Sequence, residues 1–148
     1  SDGLYVAPDN GFVSGSLAYG MRIASFQPSD NRFFGRTPFS APNDRNDGTT
    51  LTRATDQLID ELQRSNANMR VVRTQGNRRI DGLNGMVTEL SNDSPLGGRE
   101  TDWLVTVLRP DGSLSYFVGV APQRDFNRYQ STYEQIISSV RFTSSYRY

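Results

Sequence analysis

Two neighbouring segments near the carboxyl-terminal end carry apolar side chains on both sides of an extended chain. In residues 101–108, one side presents Thr101, Trp103, Val105 and Val107, and the other presents Leu104 and Leu108. In residues 114–121, one side presents Leu114, Tyr116, Val118 and Val120, and the other presents Phe117, Gly119 and Ala121. The tight turn Pro110-Asp111-Gly112 makes the two strands antiparallel. Strands that are apolar on both sides predict a sheet whose centre is covered on both faces.

Two other segments repeat their apolar residues at helical spacing and can supply that cover. In residues 51–66 the repeating residues are Leu51, Ala54, Leu58, Ile59 and Leu62. In residues 125–140 they are Phe126, Tyr129, Tyr133, Ile136, Ile137 and Val140. Each predicted helix therefore has one apolar face to bury against the sheet.

The remaining strands are predicted from short apolar runs that end at Pro, Gly, Asn or Asp. These runs are residues 4–7, 17–26, 69–73 and 85–90, with a last short strand at 141–142 and a frayed tail over 143–148. Residues 78–85 and 91–98 are predicted to be turns. We expect an α+β fold, an α/β/α sandwich whose central antiparallel sheet is flanked by two main helices. The length of 148 residues fits a single domain over residues 1–148.

Residues 27–50 are predicted to form a long loop, because Pro, Gly, Asn and Asp are frequent in them. This segment also holds Phe33, Phe34, Arg36 and Phe39, a mixture typical of binding hot spots. We therefore predict these four residues as the candidate contact with a partner. The alternative is that the Phe rings fold back to cover an open edge of the sheet, because large apolar groups favour burial.

The composition excludes several classes of enzyme. The sequence has no Cys and no His, and all 16 of its basic side chains are Arg. Thiol nucleophiles, imidazole bases and zinc sites built from Cys or His are therefore excluded, and so is Ser-Lys chemistry. No G-x-S-x-G motif is present. We predict no catalytic residue, no metal ligand and no cofactor in this chain.

Charged clusters in the sequence favour a solvated surface over a site. Asp56 and Asp60 lie one helical turn apart beside Glu61, and such pairs are common on exposed helix faces. Arginines recur at Arg64, Arg70, Arg73, Arg78 and Arg79, without interleaved aromatic residues. Because the formal net charge is zero, we expect neighbouring Asp and Glu to balance these arginines, and we expect no nucleic-acid partner. A milder alternative is contact with anionic lipid headgroups.

Four stretches of the sequence resemble a known family. They are residues 54–62 (ATDQLIDEL), 65–71 (SNANMRV), 90–100 (LSNDSPLGGRE) and 116–126 (YFVGVAPQRDF). They are similar to the C-terminal extension of bacterial zinc metallopeptidases of the HtpX-like kind, peptidase family M forty-eight, as found in acidobacterial proteins. The resemblance spans residues 4–142 and implies a PsbP-like domain. Relatives carry a further strand with a tryptophan before the segment that matches Leu4, and that strand is missing here.

The resemblance implies an accessory role. The family's protease motif, H-E-x-x-H, requires two histidines, so no catalytic residue is carried over and zinc is expected only in the absent protease domain. We expect a non-catalytic domain that positions or recruits a substrate or partner for a zinc metalloprotease on the same polypeptide. Its location would be periplasmic or extracytoplasmic, with membrane association only through the parent protein. Because the chain enters a strand almost at once, we expect it to be a piece of that longer protein.

The alternative is an independent extracytoplasmic PsbP-like binding protein, whose partner is a protein or a small ligand. The sequence encoded before Ser1 distinguishes the two hypotheses. A helix carrying H-E-x-x-H supports the protease domain, whereas a signal peptide alone supports the independent protein.

Overall fold

Six strands form one antiparallel sheet in the computed structural model, which describes residues 3–29 and 48–143. The elements in chain order are β1 (Leu4–Val6), β2 (Phe12–Val13), β3 (Ser16–Leu17), β4 (Gly20–Phe26), α1 (Gly48–Ser65), β5 (Arg70–Ile80), β6 (Leu83–Asp93), β7 (Arg99–Leu108), β8 (Leu114–Pro122) and α2 (Phe126–Ser138). The order across the sheet is β1-β4-β8-β7-β6-β5. A short 3-10 turn, Gln123–Asp125, leads into α2, and β2 pairs with β3 in a separate hairpin. The predicted α+β class and antiparallel sheet are confirmed.

The two helices cover opposite faces of the sheet. On one face α1 packs through Leu51, Ala54, Leu58 and Ile59 against Leu104, Leu114, Tyr116, Val118 and Val120. On the other face α2 packs through Phe126, Tyr133 and Ile137 against Trp103, Val105, Val107 and Phe117. The faces that the sequence predicted for residues 101–108 and 114–121 are therefore confirmed. Each large apolar side chain buried in this way contributes roughly 1.5–3 kcal/mol of transfer free energy.

The edge of the sheet formed by β5 differs from its prediction. The strand continues past the predicted residues 69–73 to Ile80, and the turn that follows is only Asp81 and Gly82. Both have positive φ, 50° and 83°, as a two-residue hairpin turn between twisted strands requires. The extension was not predicted because residues 74–79 are polar or Gly and mostly exposed, so no apolar alternation marks them as a strand.

Other element bounds also differ. Strand β6 continues to Asp93, so the predicted turn 91–98 is shorter, and α1 begins at Gly48, inside the predicted loop 27–50. The strand predicted over 17–26 begins at Gly20, while Leu17 belongs to the β2–β3 hairpin. Residues 141–142 form no strand, and residues 144–148 lie outside the described residues.

Tyr133 attaches α2 to the sheet where β4 and β8 meet. Its hydroxyl donates a hydrogen bond to the carbonyl of Val120 at 2.6 Å and accepts one from the amide of Gly20 at 2.9 Å. Its ring packs on Gly119, where a Cβ atom would lie 2.5 Å from the Cδ2 atom of the ring. Burial raises the pKa of Tyr133 to about 12, so the hydroxyl keeps its proton at neutral pH.

We predict that Tyr133→Phe lowers the free energy of unfolding by about 1–3 kcal/mol, because two buried backbone groups lose their partner. Urea unfolding followed by the fluorescence of Trp103, the single tryptophan, measures the loss. The matched control is Tyr129→Phe, one helical turn earlier, whose hydroxyl makes neither of these bonds. Equal effects of the two substitutions would contradict the bridging role of Tyr133.

Candidate functional site

The four residues that the sequence predicted as a partner contact, Phe33, Phe34, Arg36 and Phe39, lie outside the described residues. That contact therefore stays a prediction. Within residues 3–29 and 48–143, two other features stand out as candidates. One is an exposed apolar edge of the sheet, and the other is a buried pair of carboxyl groups.

The exposed edge is formed by β1 and the hairpin that follows it. The exposed fractions of its large apolar side chains are 62% for Leu4, 46% for Tyr5, 43% for Val6 and 44% for Phe12. The rings of Tyr5 and Phe12 meet edge to face, with their centroids 5.3 Å apart. Among residues 3–29 and 48–143, β1 pairs only with β4, so no described strand occupies the other side of β1 in the main sheet. We call these four residues the edge patch.

The opposite edge, β5, is built differently. Two register irregularities interrupt its pairing with β6, between Val71 and Arg73 and between Thr74 and Gly76. Bulges and charged side chains are devices that keep an edge strand from pairing with another chain. Strand β1 has neither a bulge nor a charged residue. Its shortness alone limits pairing, so β1 is the edge of the sheet that is more open to a partner.

The arginine cluster is balanced in large part, as predicted. Arg64 pairs with Glu61 at 2.6 Å, Arg73 pairs with Glu89 at 3.0 Å, and Arg78 pairs with Glu134. Arg79 instead donates to the carbonyl of Gly82 and to the side chain of Asn84. These pairs hold the arginine side chains close to the protein surface.

A crevice of about 240 Å³ lies between β5 and α2, above Trp103. Its walls include Arg73, Gln75 and Glu89, and both Arg73 and Gln75 donate to Oε1 of Glu89. The charged groups of the crevice are therefore already paired with each other.

The exposed acids on α1 form no metal site. Asp56 and Asp60 face solvent, and Glu61 is engaged by Arg64. Among the described residues, no group of three or more Asp or Glu side chains is placed to hold a metal ion. In the same part of the chain, neither helix is long and apolar enough to cross a membrane.

The structure also reveals a pair of buried acids that was not predicted, Glu100 and Asp102 on β7. Their exposed fractions are 5% and 3%. Oε1 of Glu100 and Oδ1 of Asp102 have no hydrogen-bond partner. Such unpaired buried oxygens are rare and call for a specific explanation. We call these two residues the carboxyl pair.

The environment of the carboxyl pair is apolar. In the register of the sheet, Asp102 lies between Leu90 of β6 and Val120 of β8, and Glu100 lies between Asn92 and Pro122. Leu90 and Val120 belong to the core under α1, so the pair lies at the end of that core. Burial, together with the neighbouring Asp102, raises the pKa of Glu100 to about 10. Burial also raises the pKa of Asp102.

A signal for the carboxyl pair was present in the sequence. The alternation of side chains along the predicted strand placed Leu104 on the face that α1 covers in the structure. Asp102 is two positions earlier, so its side chain lies on the same face. The predicted turn ended at Gly98 and the predicted strand began at Thr101, so Glu100 was assigned to neither. An acid at an inward position of a strand that is apolar on both faces is the pattern that would have found the pair.

Comparison with known proteins identifies the fold only. No family model matches the sequence, and no curated protein matches it. A crystal structure of PA94 from Pseudomonas aeruginosa, a protein of unknown function, is similar, with a TM-score of 0.53 and 8% sequence identity. The match covers 97% of this chain and 99% of that one. The similarity therefore extends over the whole α+β arrangement.

We predict that the purified chain carries no stoichiometric zinc after dialysis, because carboxylates alone rarely hold zinc strongly. Elemental analysis of the dialysed protein measures the metal content. A variant with Asp56→Asn and Asp60→Asn serves as the control for weak surface binding. Zinc at one equivalent that survives dialysis in both proteins would contradict the prediction.

Proposed function

We propose that this chain is a non-catalytic interaction domain that binds its partner through the edge patch. The observation that carries the proposal is the exposure of Leu4, Tyr5, Val6 and Phe12 at an edge of the described sheet. Clustered apolar side chains on a protein surface are typical of interaction sites. Tyr and Phe are also enriched among the residues that contribute most to binding.

The edge patch favours a partner that adds an extended segment to β1. An exposed edge strand offers unpaired backbone amides and carbonyls, which an added strand can satisfy. The crossed rings of Tyr5 and Phe12 supply an apolar surface beside that edge. The preferred partner is therefore an extended segment with apolar side chains at alternating positions.

The proposed partner is the protease domain of an HtpX-like zinc metallopeptidase on the same polypeptide, or a protein substrate of that enzyme. This partner rests on the sequence resemblance described above, as does the PsbP-like assignment of the fold. In this proposal the chain contributes binding and orientation, and the protease domain contributes zinc and catalysis. The location is periplasmic or extracytoplasmic.

The alternative is an independent extracytoplasmic PsbP-like protein that binds a protein or a small ligand. The crevice above Trp103 favours a small, uncharged polar ligand in that case, because Arg73 and Glu89 are paired with each other. An H-E-x-x-H helix encoded before Ser1 favours the protease partner. A signal peptide without a protease domain favours the independent protein.

We predict that the double substitution Tyr5→Ser and Phe12→Ser weakens binding to the separately produced protease domain at least about tenfold, or about 1.4 kcal/mol. Calorimetric titration measures the Kd. The matched control, Val71→Ser with Val72→Ser, removes two similarly exposed apolar side chains, 48% and 51% exposed, from the opposite edge. The control should leave the Kd unchanged.

A third variant, Phe33→Ser with Phe34→Ser, tests the contact predicted from the sequence. If it weakens binding while the edge-patch variant does not, the partner binds through residues 27–50. Equal weakening by the edge-patch variant and by the β5 control would contradict a specific role for β1.

We predict that removing this domain from the full-length enzyme leaves hydrolysis of a short generic peptide nearly unchanged and lowers hydrolysis of the natural protein partner. The physical reason is that peptide-bond hydrolysis needs a metal-activated water and a carboxylate base, which the protease domain supplies. Loss of both activities, with the protease domain still folded and loaded with metal, would contradict the accessory role.

A further inference from the structure

The carboxyl pair consists of two buried acids on one face of β7. Glu100 and Asp102 are two positions apart on β7, so their side chains leave the same face of the strand. Both side chains are almost fully buried, so neither can turn to bulk water. Ionised carboxylates only accept hydrogen bonds, so a bond between two carboxyl groups requires a proton on one of them.

Within the described part of the chain, no free cationic side chain is available to replace that proton. Arg99 is the nearest cation, and its guanidinium is already bonded to Asp93 at 2.9 Å, to the carbonyl of Asn68 at 2.9 Å and to Ser91 at 3.0 Å. Asp93 also lies near the pair, and its negative charge opposes ionisation of Glu100. Arg99 and Asp93 thus largely neutralise each other at the end of the sheet.

In the described residues, the neighbouring strands and α1 place no other charge in the core around the pair. The neighbours of the pair in register on β6 and β8 are Leu90, Asn92, Val120 and Pro122. The charged side chains of α1 are all exposed: Arg53, Asp56, Asp60, Glu61 and Arg64.

The 3-10 turn, which contacts β7, carries Arg124, which is exposed, and Asp125, which is hydrogen-bonded to Tyr19 and paired with Arg128. Full ionisation of the carboxyl pair would therefore place two like charges side by side in an apolar environment, which is strongly unfavourable.

We propose that Glu100 and Asp102 form a pH-dependent closing element, which holds this end of the α1 core together while it is protonated and opens it when the protons are lost. Opening lets water reach the two carboxylates. Only the start of β7 opens in this step, and the rest of the sheet stays folded.

The direction in which pH changes the stability of the folded chain follows from the protons that the folded chain retains. The pKa of each carboxyl group is raised by burial, so between about pH 5 and the raised value the folded chain binds more protons than the unfolded chain. The contribution to stability is full below the ordinary carboxyl pKa of about 4 and is lost as the pH rises. One retained proton changes the unfolding equilibrium constant about tenfold per pH unit.

The range from pH 5 to pH 9 isolates the carboxyl pair from other shifted groups. Hydrogen bonds from Asn68 and Ser113 lower the pKa values of Asp93 and Asp111, so both are ionised above pH 5. Tyr133, with a pKa of about 12, remains protonated below pH 9. A change of stability within this range therefore reports on Glu100 and Asp102.

The test compares the natural chain with two double variants. The first, Glu100→Gln/Asp102→Asn, removes the carboxyl pair. The second, Asp56→Asn/Asp60→Asn, removes two exposed acids of α1 and serves as the control. Urea unfolding followed by Trp103 fluorescence gives the unfolding constant at each pH. Infrared spectroscopy detects a protonated carboxylic acid at pH 7. Hydrogen exchange locates any opening.

In the natural chain and the control we expect the unfolding constant to rise by up to about tenfold per pH unit. We also expect a protonated-acid band at pH 7. As the pH rises, exchange at the start of β7 should increase by more than the base-catalysed intrinsic rate of exchange does. The Glu100→Gln/Asp102→Asn variant should lose the band and most of the pH dependence. Absence of the band from the natural chain overturns the proposal without any variant having to fold. Equal pH dependence in all three proteins overturns it as well.

Discussion

The antiparallel pairing of β7 with β8 is the constraint on which the rest of the structure depends. Leu104 pairs with Val118 and Val105 pairs with Phe117, so apolar side chains leave both faces of the pair. A sheet of this kind is stable in water only when both faces are covered. The two helices, their apolar stripes and their placement on opposite faces follow from that requirement.

The sequence predicted the parts of the fold in which burial leaves a pattern. The faces of residues 101–108 and 114–121 and the buried stripe of α1 were assigned correctly from periodicity. In α2 the stripe was also correct, although Ile137 is buried and its neighbour Ile136 is only half buried. The strand β5 was largely missed because an edge strand pairs through its backbone and leaves its polar side chains in solvent.

The candidate sites were harder to predict than the fold. The carboxyl pair is formed by two residues near each other in sequence, but its significance depends on what covers them, and single-sequence patterns do not give burial of a polar group. The edge patch depends on which strand ends the sheet. That position is set by the long-range pairing of β4 with β8, and no local pattern near Leu4 indicates it.

The order of strands also separates the chain into parts that meet early and late during folding. Strands β5 to β8 pair with their neighbours in sequence, whereas β4 reaches β8 only across most of the chain, and Gly20 lies 113 positions from its partner Tyr133. Local pairings close small loops and form fast, while distant pairings carry a larger entropic cost. The four-stranded meander is thus the natural nucleus, and β4 with β1 joins it afterwards. The edge patch consequently lies in the part of the sheet that is completed last.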